Sequence, residues 1–272
     1  MTTGAPSAVA STGYRSPLRA VAVPTEHGGW GLTAEPVLLG LAIAPSVAGV
    51  CIGIAAVVGF LARTPLRVVL VDRHRHRDLD RTGLARRVLF VEVAAIVMLA
   101  GVAAVTATGT WGWWWPAALA APLVGVELWF DTRSRSRRLL PELTGTFGIC
   151  SVAAMILLAD GHPWSVAIAA WLILVGRATT AIPYVRAQIA RLHQRPTSAG
   201  ALVVADGAAL AVAATAVALD PAVAAGAISV GVVVVFQRIT ARTPVPAKVI
   251  GIRQTVLGLI VVAATVAGIH LT

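Results

Sequence analysis

All 22 lysines and arginines of this chain fall on one side of a series of long apolar runs, in or beside alternate connections between them, a pattern that excludes a water-soluble globule. The runs cover roughly 32–48, 50–71, 88–108, 112–130, 140–159, 163–184, 198–219, 221–238 and 248–270. Each approaches the ~20 apolar residues that carry a helix across a hydrocarbon core. The basic stretches are the N-terminal segment with Arg15 and Arg19, Arg63–Arg87, Arg133–Arg138, Arg177–Arg195 and Arg238–Arg253. The gaps between them, around Ala48, Thr108–Gly112, Asp160–His162 and Asp220, hold no Lys or Arg. Short basic loops stay in the cytoplasm. The expectation is an all-α polytopic membrane protein of nine transmembrane helices, with a cytoplasmic N-terminus and an external C-terminus. The weakest cut, at Ala48–Gly49, separates the first two runs; fusing them gives eight helices and puts Arg15 and Arg19 on the wrong side.

Composition agrees. Hydrophobic residues make up 57% and charged residues 12%, where a soluble domain carries about 25% charged, and the mean hydropathy is +0.82. The net charge of +10 then reads as membrane topology, and nucleic-acid binding is a poor use of it. Cys51 and Cys150 lie in apolar runs without metal or redox spacing, as structural cysteines do. Residues 1–22 read as a flexible cytoplasmic tail without a signal peptide, and 23–272 as one transmembrane domain. The cluster Trp111–Trp115 falls at an external helix start, where aromatic belts form.

Ionisable groups inside apolar runs are the natural candidates for a site, since each costs ~2.5–3.5 kcal/mol at mid-membrane on insertion scales. The first helix opens as VPTEHGGWGLTAEP and brings Glu26, His27, Trp30 and Glu35 into a Gly-rich entry. Glu142 begins the fifth run in PELTGTFGIC, where it serves either a site or the helix dipole. Arg177 lies deep in the sixth run; Arg186, two and a half turns on, shares its face only if the helix breaks at Pro183. Asp206 paired with Arg177 or Arg186 would account for both charges. Glu92 and Glu127 read as helix-end acids. The pair His74 and His76, set among arginines, is a poor zinc site.

The stretches PTEHGGWGLTAEPVLLGL, FLARTPLRVVLVDRHRHRD and TAIPYVRAQIARLH resemble the YwiC-like family of bacterial membrane proteins, over nearly the whole chain. The order of features is also similar to the nine-helix UbiA-type intramembrane prenyltransferases: a Gly-rich first helix, a charged Asp loop after the second and an Arg-rich exit from the sixth. That likeness implies a UbiA-like bundle, in which two cytoplasmic Asp motifs hold Mg²⁺ on a prenyl diphosphate. Here the first motif is represented by Asp72 and by Asp80-Arg81, with Val71 in place of the usual asparagine and Asp78 out of register. The second keeps Arg186 but has no aspartate between Ile182 and Ala205.

What the resemblance implies is a cytoplasm-facing cavity holding a lipid or isoprenoid-type ligand. In it Asp72 and Asp80 hold a single Mg²⁺ and, with Glu142, carry any catalysis, as in a prenyltransferase-like transferase or lyase. Arg67, Arg177 and Arg186 grip an anionic head, and Glu26, His27, Trp30 and Glu35 line the wall. The alternative is a non-enzymatic transporter, or an accessory subunit that docks a partner through its arginine loops.

Overall fold

The computed structural model describes residues 29–77, 79–109, 111–133 and 138–272, and every element among them is helical. Glu26, His27, Asp78 and the expected tail lie outside these residues. The helices are α1 (Gly29–Ile43), α2 (Val47–His74), α3 (Asp80–Thr106), α4 (Trp115–Thr132), α5 (Leu139–Ala159), α6 (Trp164–Leu192), α7 (Ala199–Leu219), α8 (Ala224–Thr240) and α9 (Ala247–Leu271). Short 3₁₀ turns at Trp111–Trp114 and Pro221–Val223 lead into α4 and α8.

Nine helices are thus present among the described residues, but only seven are long and apolar enough to cross a membrane. The all-α membrane architecture is as expected, while the expected count of nine spans goes beyond these seven. At 15 residues α1 is about 22 Å long, short of the ~30 Å hydrocarbon core. In α4, Pro122, Glu127 and Asp131 dilute an 18-residue helix. The weak cut between the first two runs is a true helix boundary, a few residues earlier than expected. Pro45 follows the end of α1, and the Ser46 hydroxyl caps α2 by accepting from Gly49 N at 3.1 Å.

Two boundaries differ more. The polar stretch DRTGLARR, expected in a loop, is the first two turns of α3, so the described part of the basic region Arg63–Arg87 is mostly helix, with a turn at Arg75 and His76. A helix satisfies its own backbone, and arginine stems lie along it with their heads in water, so nothing forces it to stop at the hydrocarbon edge. Likewise α6 runs to Leu192 without a break at Pro183.

The two ends of the bundle differ in kind. At the end without arginines, Thr108 N and Gly109 N donate to Ala159 O at 3.1 and 3.0 Å. There the Ser165 hydroxyl donates to Asp220 Oδ2 at 2.8 Å, and a His270 ring nitrogen lies 3.2 Å from Ala42 O. These contacts gather the ends of α1, α3, α5, α7 and α9 at one face, as strict alternation requires. The most buried helix is α5, which packs against α1, α2, α4 and α6. Gly40 of α1 and Gly49 of α2 both sit against Ile156, where an added Cβ would stand 2.8 Å from its side chain. By contrast α3 packs chiefly on α2 and turns Phe90, Val97, Met98 and Val105 outward.

Candidate functional site

The bundle buries Glu35 and Arg177, at 6% and 2% exposure, and brings them together. Arg177 Nη2 is 3.2 Å from Glu35 Oε1 and donates to Gln254 O at 2.6 Å. Glu35 lies two turns before the end of α1, and Arg177 about 20 Å along α6 from its Trp164 end. The pair therefore lies near mid-depth, where α1, α6 and α9 meet. Gly258 of α9 makes the room: a Cβ there would collide with Glu35 Oε1 and stand 3.0 Å from Arg177 Nη2. The thiol of Cys150 is buried on α5, within electrostatic reach of both charges.

Polar capacity is left over at this point. Arg177 Nε and both polar atoms of the Gln254 side chain are buried and have no hydrogen-bond partner among the described residues. Unmet donors and acceptors of this kind cost ~1–3 kcal/mol each. Arg177 belongs to the ion pair and Gln254 lies one turn before Gly258 on α9, so a further polar group at this point would meet unused donors and an acceptor.

The other expected residues do not converge on one cavity. Arg186 Nη1 pairs with Glu142 Oε2 at 2.9 Å, half-exposed and about 13 Å nearer the arginine end than Arg177. With α6 unbroken, the two arginines face different helices, α5 and α1. Trp30 is 42% exposed and packs edge-on against Phe60 with ring centroids 5.1 Å apart. Arg67 is partly buried on α2, and Asp80 is exposed at the first turn of α3.

Asp72, at 1% exposure, is fully engaged. Arg81 Nη2 donates to Oδ1 at 2.8 Å, and the Thr82 hydroxyl donates to Oδ2 at 2.7 Å. The Arg81 guanidinium stands where a cation on Asp72 would stand. Among the described residues, no three His, Cys, Asp or Glu side chains are grouped to hold a metal. The donor set around Asp72 does not fit Mg²⁺.

Three further ion pairs escaped the sequence. Arg63 binds Glu127 Oε1 at 2.8 Å and the fully buried Asp131 Oδ2 at 3.1 Å, which joins α2 to α4. Gly145 of α5 leaves the space for Glu127, since a Cβ there would collide with its carboxylate. Asp206 pairs with Arg238 of α8 at 2.5 Å, which corrects the expected pairing with Arg177 or Arg186. The Thr180 hydroxyl, 2.9 Å from the Gln237 amide, donates to Asp206 Oδ1 at 2.5 Å. Arg63 was visible as the first residue of the basic stretch; its partners were not, because nothing local marks which helices become neighbours.

A polar seam held by arginine–carboxylate pairs inside an all-helical, strongly apolar bundle defines a helical membrane protein. Over residues 23–157 the chain matches the family model described as YwiC-like protein, and it belongs to that family. The matched segment runs from ahead of α1 into α5; TAIPYVRAQIARLH lies beyond it, so the match is shorter than expected. No curated protein and no solved structure matches the chain.

Proposed function

We propose that this YwiC-like protein binds a lipid or isoprenoid-type ligand whose polar group reaches the Glu35–Arg177–Gln254 site from the arginine-rich end. The observation that carries this is the set of unpartnered polar atoms, Arg177 Nε and the Gln254 amide, beside a buried ion pair. A ligand oxygen accepting from Arg177 Nε and the Gln254 amide would satisfy groups left unmet among the described residues. An isoprenoid or acyl chain is the companion suited to a bundle that turns apolar side chains outward along its length.

Binding is favoured over transfer from a diphosphate, because Asp72, Arg177 and Arg186 are each committed to a protein partner of opposite charge. The arginine end faces the cytoplasm by the positive-inside rule, which leaves the C-terminus external in a bacterial cell membrane. The test is to purify the wild type and Gln254→Leu, extract them and identify retained lipids by mass spectrometry. One lipid species enriched with the wild type and lost from the variant is the expected result. Equal retention, or no enriched species with the wild type, contradicts the proposal.

A further inference from the structure

Beyond the family-matched segment the chain builds a second basic feature that the mid-depth site does not use. The C-terminal ends of α6 and α8 and the start of α7 enclose an open cleft of about 400 Å³ at the arginine end. Arg191, Arg238 and Arg242 line it with Leu202, Ile239 and Ala241, and no acid is among the lining residues.

The three guanidiniums are not equivalent. Arg238 is matched in charge by Asp206. Arg191 donates one N–H to Ala241 O, which leaves most of its five donors free. Arg242 is exposed and has no ion-pair partner among the described residues. Two positive charges therefore face the cleft without a matching acid among the described residues.

The wall that carries them is held firmly. Gln188 Nε2 donates to Thr240 O at 3.2 Å and Ala241 O at 3.1 Å, and the Tyr184 hydroxyl is 3.0 Å from Thr240 Oγ1. From Ile239 an exposed apolar stripe runs back along α8 through Val235, Val232 and Ile228, at helical spacing.

We infer that this cleft holds the phosphate-bearing head of an anionic membrane lipid. Arg242 and the free N–H groups of Arg191 take the phosphate oxygens, and an acyl chain lies along the Ile239–Ile228 stripe. The volume suits a phosphate with its glycerol, and basic pockets between membrane helices on the cytoplasmic side recognise such heads. Free phosphate shares the head chemistry but makes no use of the stripe.

The test places the full-length protein in nanodiscs of phosphatidylcholine doped with phosphatidylglycerol and counts retained phosphatidylglycerol by native mass spectrometry. Wild type should retain it, Arg242→Ala several-fold less and Arg242→Lys most of it. Arg87→Ala, which removes an exposed arginine of α3 at the same end, should match wild type. Equal retention by wild type and Arg242→Ala overturns the inference. So does an equal loss in Arg87→Ala, which would make the attraction a property of the whole face. Excess inorganic pyrophosphate separates the two sources. Lipid that stays bound supports the lipid, whereas its displacement, with pyrophosphate held by wild type and not by Arg242→Ala, overturns it in favour of a soluble phosphate.

Discussion

Arg177 Nη2 lies 3.2 Å from Glu35 Oε1, and the two charges share one buried site between α6 and α1. Removing one member strands the other in a low-dielectric interior, at a cost of ~3–5 kcal/mol, while replacing both by apolar groups of similar volume is close to neutral. Glu35→Leu and Arg177→Met should each lower thermal stability sharply, and the double variant should recover most of the loss. Thermal unfolding in detergent checks this; additive losses would mean that the pair is not coupled.

Gly258 and Gly251 lie on the same helix, two turns apart, in opposite surroundings. An added methyl at Gly258 runs into the Glu35 carboxylate, whereas nothing lies within 4 Å of one at Gly251. Gly258→Ala should cost ~1–3 kcal/mol through overpacking. Gly251→Ala should be neutral or stabilising through helix propensity. Reversed signs in a thermal-shift comparison would contradict the close approach of α9 to the ion pair.

Asp72 is satisfied by Arg81 and Thr82, with no place left for a divalent ion. Unfolding temperatures measured with EDTA and with millimolar Mg²⁺ should therefore coincide. Asp72→Ala should destabilise the α2–α3 turn, and adding Arg81→Ala should cost little more. A clear stabilisation by Mg²⁺ that disappears in Asp72→Ala would restore the metal.

Glu92 lies midway along α3, and its Oε2 is buried without a partner among the described residues. Carboxylates at mid-helix are costly in a membrane, so Glu92→Leu should raise the unfolding temperature. A fall would mean that Glu92 meets a partner outside the described residues.

How far this could be foreseen differs between fold and site. The order of the helices, a boundary between the first two (expected at Ala48–Gly49 and found a few residues earlier, at Ser46) and the gathering of arginine at one end follow from hydropathy and charge alone, because crossing a membrane is a property of each segment by itself. Glu35 and Arg177 also stood out singly, as charges where charges are costly. Their pairing did not: Arg177 was set, with Arg186, against Asp206, and the true partner depends on which helices become neighbours and how each is rotated. Asp206 went to Arg238 on the adjacent α8 instead. Gly258 carried no signal at all, since a glycine in an apolar helix is ordinary until its neighbour across the interface is known. The loop reading of DRTGLARR failed for another reason: polarity marks where the membrane ends, and a helix can continue past it.

The most direct test of the ligand site is lipid retention by the Glu35→Leu/Arg177→Met double variant, measured beside its unfolding temperature. Such a protein stays folded but offers no charge at mid-depth. It should unfold near the wild-type temperature and lose the lipid species enriched with the wild type. A stable double variant that retains that species in full would contradict a binding role for the Glu35–Arg177 pair.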